Sequence, residues 1–350
     1  MKTRRSLLTA VGYLAVGFLT SCLFVIAGGC ASSGQASAAQ EVVTYPKINL
    51  TVGYEFDRDW PQKPANVRWE AVTGVSVDAQ DRIWALVHGN MPIQVYSTDG
   101  KLLDAWEKVD AEIPHQIRID HDGNIWLSDT GLHVVRKFSP KGELLLTLGT
   151  PGEAGEDDKH FNKPTDMAIS PTGEIFVSDG YINNRIVHFD AQGRFVKTWG
   201  KQGSQVGELY LPHSIAMDSK GRLYVVERNN GRIQVFDQAG RSLAVWVNLM
   251  MPWSVCITPQ DEIYVCGSSP MRWGEGEYLG VFPKDQMVMK LNPEGRVLEV
   301  WTFPLGQESG SKPGQLACVH GIGVDSDRNL YLGDVFGQRV QKFVRLAADR

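Results

Sequence analysis

Residues 211–236 read LPHSIAMDSKGRLYVVERNNGRIQVF, and this stretch decides the fold. His213-Ser214-Ile215-Ala216-Met217-Asp218 alternates, Ser219-Lys220-Gly221 turns, and Arg222-Leu223-Tyr224-Val225-Val226 returns as a β-rich run. Asn229-Asn230-Gly231 then turns again into Arg232-Ile233-Gln234-Val235-Phe236. Period-two alternation bounded by Gly, Asn and Asp marks short antiparallel strands. Similar units begin at Val72 (VTGVSVDAQDRIWAL), Pro114 (PHQIRIDHDGNIWLSD), Pro164 (PTDMAISPTGEIFVSD), Pro252 (PWSVCITPQDEIYVCG) and Val319 (VHGIGVDSDRNLYLGD). Their spacing of roughly 40 to 65 residues is the range of solenoids and propellers. Each unit carries a fourth β-rich run, such as Gly193-Arg194-Phe195-Val196-Lys197-Thr198-Trp199-Gly200. Four strands repeated six times predict an all-β, six-bladed propeller, with blades over 72–106, 114–149, 164–200, 212–247, 252–302 and 319–343. The last copy stops after Arg339-Val340-Gln341-Lys342-Phe343, while a lone strand at 47–57 precedes the first copy. That N-terminal strand is expected to complete the last blade and close the ring, protecting its edges.

The chain has 350 residues, ordinary apolar content and a net charge of −5. Length alone would allow two domains, but the repeat overrides it. Neither disorder nor nucleic-acid binding is suggested. Residues 1–30 read as an export signal, because Thr3-Arg4-Arg5-Ser6-Leu7-Leu8 sets a twin-arginine region before an apolar run. Cys22 and Cys30 are both candidate lipidation sites. Cys30 is preferred, since the small, polar linker ASSGQASAAQ follows it. An uncleaved membrane anchor is the alternative, as the run is about long enough to span. Either way residues 31–46 form a linker, and the propeller over 47–350 is expected on the periplasmic or cell-surface side, tethered to the membrane and monomeric. Cys256 and Cys266 flank one hairpin and either pair in that oxidising compartment or stay as buried thiols.

Aligning the units on the residue after the leading Pro or Val gives Thr73, His115, Thr165, His213, Trp253 and His320. Histidine therefore falls on blades two, four and six, about 120° apart around a six-fold ring whose first strands line the channel. Three imidazoles at one height with a fourth position open are the ligand set of a catalytic zinc ion. The alternative is that a small polar residue there simply caps the strand. If the first strands start at this end, the loops after the second strands share the face. Those loops carry His88, Thr130, Tyr181, Arg228, Val335 and a blade-five insertion over 268–286 that includes Arg272. A phenol beside a dication can act as a base, and a guanidinium can clamp a carboxylate through two parallel hydrogen bonds. Asp129, Asp179, Glu227 and Asp334 recur at one blade position and read as backbone anchors.

The runs HFNKPTDMAISPTGEIFVSDGYINNRIVHFDAQGRFVKTWG, PHSIAMDSKGRLYVVERNNGRIQVF and PHQIRIDHDGNIWLSDTGLHVVRKF resemble the NHL-repeat propeller of the peptidyl-α-hydroxyglycine α-amidating lyases. The resemblance covers most of 72–343. It implies zinc on His115, His213 and His320, an active-site tyrosine at Tyr181 within SDGY, and an active-site arginine at Arg228. His88 stands where that family has a second arginine. Gly321 stands where it has the acid of a structural calcium site, and Cys318 where it has a methionine. Its disulfide positions are held by Asn162, Ile182, Tyr224 and Val235. The implied activity is zinc-dependent cleavage of a peptidyl-α-hydroxyglycine to an amide and glyoxylate. Arg228, aided by Arg272, would hold the carboxylate of this small-molecule or peptide substrate. Two other readings compete: a non-catalytic propeller that binds a peptide, glycan or protein, and a lactonase-type hydrolase with a calcium cup.

Overall fold

The computed structural model describes residues 53–269, 285–306 and 312–346. The sequence readings at Cys22, Cys30 and Arg272 lie outside these residues. Six four-stranded antiparallel sheets follow one another in chain order. Blades one to five each run from the inner to the outer strand in sequence, beginning at Trp69–Val77, Pro114–Ile119, Asp166–Ile169, Pro212–Met217 and Met251–Ile257. Blade six has three strands, Val319–Val324, Leu330–Asp334 and Arg339–Arg345, with Tyr54–Phe56 as its outer fourth. Tyr54 lies opposite Arg345 and Phe56 opposite Phe343. The ring is closed by the N-terminal strand.

The repeat encodes its own hairpins. Asp78, Asp120, Asp218 and Asp325 end four first strands, and each accepts a hydrogen bond from an aromatic six residues on: Trp84, Trp126, Tyr224 and Tyr331. The cores lie between blades. Trp84, Leu86 and Trp106 of blade one, for example, pack with Ile117, Leu127 and Phe138 of blade two. Burying such side chains contributes about 1.5–3 kcal/mol each. The first strands of successive blades pack on one another around the whole ring and so line its centre. The acidic link over 150–163 lies outside the named strands.

Candidate metal centre

In every blade except the third, the first strand departs from regular pairing where the aligned position falls. The register shifts between Pro114 and Gln116, Pro212 and Ser214, Pro252 and Ser254, and Val319 and Gly321. His115, His213, Trp253 and His320 are thus the extra residues of four β-bulges, and a bulge re-aims the side chain it carries. Period-two alternation gave no sign of these bulges. They turn the three histidines into the channel as a nearly equilateral set, with ring centroids 4.7, 4.8 and 4.9 Å apart. One ligand nitrogen from each lies within 4.8 Å of the others.

Hydrogen bonding fixes which nitrogen faces inward. The Nδ1–H groups of His115, His213 and His320 donate to the backbone carbonyls of Thr165, Trp253 and Thr73 at 2.6, 2.6 and 2.7 Å. Each acceptor is the aligned residue of the next blade. A neutral imidazole that donates from Nδ1 carries its lone pair on Nε2, and a backbone carbonyl in this role also raises ligand basicity. All three rings are buried. Desolvation first, then the repulsion of neighbouring imidazoles and of Arg228, pulls His115 down to about 4 and His320 to about 3, with His213 also well below the ordinary value. Three inward lone pairs at neutral pH fit a metal ion.

Tyr181 reaches this centre from the loop after the second strand of blade three. Its Oη lies 3.1 Å from Nε2 of His115 and 3.3 Å from Nε2 of His213. Gly180 permits that path, since a Cβ there would overlap the Pro212 carbonyl oxygen and approach Thr165 Oγ1 to 2.8 Å. Arg228 is 2% exposed. Its guanidinium lies 4.9 Å from the Trp253 ring centroid and 5.8 Å from that of Tyr181. His88 stands at the rim, its Nε2 3.0 Å from the carbonyl of Pro114, the residue before His115. The recurring acids do hold backbone. Asp129 accepts from the amides of Glu112 and Ile113, Glu227 from Tyr210, and Asp334 from Ala317 and Cys318. Each clamps the segment just before a histidine; Asp179 does the same at Asn162, ahead of Thr165. Cys256, Cys266 and Cys318 are free thiols. Burial pushes Cys318 up to about 12, so it stays protonated.

The NHL-repeat family profile matches residues 161–189 and 209–236, in blades three and four. This is an NHL-repeat propeller. It is similar to peptidyl-glycine alpha-amidating monooxygenase B of Xenopus laevis, 31% identical over 332 residues, which are 85% of this chain and 36% of the relative. It is also similar to a probable peptidyl-alpha-hydroxyglycine alpha-amidating lyase of Caenorhabditis elegans, 36% identical over 181 residues, 51% of each chain. The NHL propeller thus spans about a third of the first relative's length and half of the second's. Among solved structures, a streptogramin B lyase superposes with a TM-score of 0.55 over 83% of this chain and 98% of its own, at 14% identity, a likeness of fold alone.

A calcium ion beside the third histidine does not fit this channel. A Cβ on Gly321 would lie 2.8 Å from Val75 N and 3.0 Å from the Gly74 carbonyl carbon, so no carboxylate can stand there. The nearby buried acid, Asp166, is already occupied. Arg118 spans it with Nε at 2.9 Å and a second nitrogen at 2.5 Å, and the Ser214 hydroxyl donates to it at 2.7 Å. The same guanidinium donates to the Val255 carbonyl at 3.2 Å. An internal cation ties blades two, three, four and five together.

Proposed function

We propose that this protein is a zinc-dependent lyase that cleaves peptidyl-α-hydroxyglycine-like carbinolamides to an amide and glyoxylate. The observation that carries this reading is the Tyr181 hydroxyl, set within 3.3 Å of two inward imidazole nitrogens of a three-histidine centre. His115, His213 and His320 would hold the metal, which when bound supplies Lewis acidity toward the substrate's α-hydroxyl. Tyr181 Oη, as phenolate, takes the α-hydroxyl proton. The electron pair left on that oxygen forms the aldehyde C=O as the C–N bond breaks, and the departing nitrogen takes that same proton back from the Tyr181 hydroxyl to become the amide. Arg228 binds the carboxylate that stays with glyoxylate, an orientation role suited to a fork of N–H donors. Burial of the site keeps water from competing for these groups.

Metal per chain and glyoxylate release from α-hydroxyhippurate, measured on wild type and His213→Ala, test the proposal. Zinc near one per chain, lost together with glyoxylate release in the variant, is the expected result. Zinc without glyoxylate from wild type would overturn the lyase chemistry and leave a binding propeller or another hydroxylated substrate. His88, where the resemblance implies an arginine, is the feature that favours such a shift. The export and lipidation reading at Cys30 stands as a proposal of the same kind. Mass spectrometry of the mature N terminus should find a diacylglyceryl group on Cys30, and an unmodified or uncleaved terminus would refute it.

A further inference from the structure

Buried arginines in this protein are neutralised by carboxylates. Arg118 pairs with Asp166 at 2.5 Å, Arg185 with Asp179 at 2.9 Å and Arg232 with Glu227 at 2.7 Å. Arg228 departs from that habit: among the described residues no carboxylate lies within ion-pair distance of it. Its neighbours are the faces of Trp253 and Tyr181, and its Nε makes one bond of 3.3 Å to Asn229 Oδ1. An aromatic face attracts a cation through its quadrupole and carries no net charge. The guanidinium is therefore held without being neutralised, and its donors are not taken up as a carboxylate would take them.

Trp253 is the residue that joins this cation to the metal centre. It occupies the blade-five position equivalent to the histidines, its ring lying 5.2 Å from His213 and 5.6 Å from His320, and 4.9 Å from the Arg228 guanidinium. Its carbonyl separately accepts the Nδ1–H of His213. The side chain serves Arg228 and the backbone serves the metal ligand, so substitution can separate the two. We propose that Trp253 is a positioning and selectivity residue: its ring keeps the Arg228 guanidinium unpaired and aimed at the centre, so that the site prefers ligands bearing a carboxylate over their neutral isosteres. This deepens the lyase reading and rests on Arg228 as the carboxylate seat.

The test compares wild type, Trp253→Phe and Trp253→Leu, all loaded with zinc. Calorimetric binding of glyoxylate is measured beside KM and kcat for α-hydroxyhippurate and for its carboxamide analogue. Trp253→Leu should keep its metal, weaken glyoxylate binding and raise the KM for α-hydroxyhippurate about tenfold. Its kcat should fall less than that, and the preference for acid over carboxamide should shrink by the same factor. Trp253→Phe, which keeps an aromatic face, should stay close to wild type. Loss of metal from Trp253→Leu, equal behaviour of the Phe and Leu variants, or an unchanged acid-over-carboxamide preference would each overturn the proposal. If wild type releases no glyoxylate, the lyase reading fails alone, and the calorimetric ratio between variants still decides the role of Trp253. Wild type that binds no glyoxylate overturns it too.

Discussion

Acidifying the metal-free protein should unfold it through the triad, and the size of the effect follows from the buried rings. Unfolded imidazoles titrate near 6.5. In the folded chain His115 and His320 are held at about 4 and about 3, and His213 is also well depressed, all mainly by burial. Between those values the unfolded state binds protons that the folded state refuses, so stability falls as pH drops through 6.5 and goes on falling to the folded values. At pH 5 the folded rings of His115 and His320 are still neutral, and each then destabilises by about 2 kcal/mol relative to pH 7.5, with His213 acting in the same direction. His115 and His320 together account for about 4 kcal/mol, against a total stability of roughly 5–15 kcal/mol. Urea unfolding in chelator at half-unit pH steps measures this. His320→Asn, which cannot titrate, should show about 2 kcal/mol less pH dependence over the same interval. His188, also depressed by burial, acts in the same direction in both proteins and cancels in the difference. Equal pH dependence in wild type and His320→Asn, or stability that rises on acidification, would refute the buried neutral triad.

Tyr181→Phe removes only the hydroxyl near His115 and His213, so glyoxylate release should fall about 10²–10⁴-fold with metal content unchanged; turnover within threefold of wild type would exclude it as the proton acceptor. Gly180→Ala pushes a methyl into the Pro212 carbonyl and must displace the Tyr181 loop. It should lose turnover while keeping metal, with a stability loss of about 1–3 kcal/mol by urea unfolding, and unaltered kinetics would show that the loop has slack. Arg118→Met leaves Asp166 charged and buried, a loss of about 3–5 kcal/mol that Arg118→Met/Asp166→Leu should largely restore. Because a guanidinium fills this channel position, chelating calcium should leave the wild-type thermal midpoint where it was, and a drop of several degrees would contradict the assignment.

The fold was legible because each repeat states its own hairpins, with alternating residues and turn residues that lie close together in the chain. The histidines were legible through register alone: three of six equivalent positions hold the same ligand type. Residues acting across blades were less visible. Arg118 and Asp166 are 48 positions apart, and nothing local to either marks the pair. Trp253 stood in the aligned set, yet its two duties depend on the carbonyl bond to His213 and the stacking of Arg228, neither of which has a sequence signature. The bulges were hidden for another reason. An extra residue breaks alternation by one position, and a Pro-His pair at the start of a strand reads equally well as a regular edge. Strand direction put His88 among the loops of this face, and its bond to the Pro114 carbonyl comes from the approach of blade one to blade two, which no local motif marks.

The seam between the chain's two ends gives the centre a property that no single blade has. His320 belongs to the blade completed by Tyr54–Phe56, and its Nδ1–H crosses the seam to Thr73, 247 positions away in sequence. The last ligand is therefore oriented only after the circle is joined. A chain whose circle is not joined has at most two of the three imidazoles oriented by these bonds, so a metal held by all three would report completed assembly.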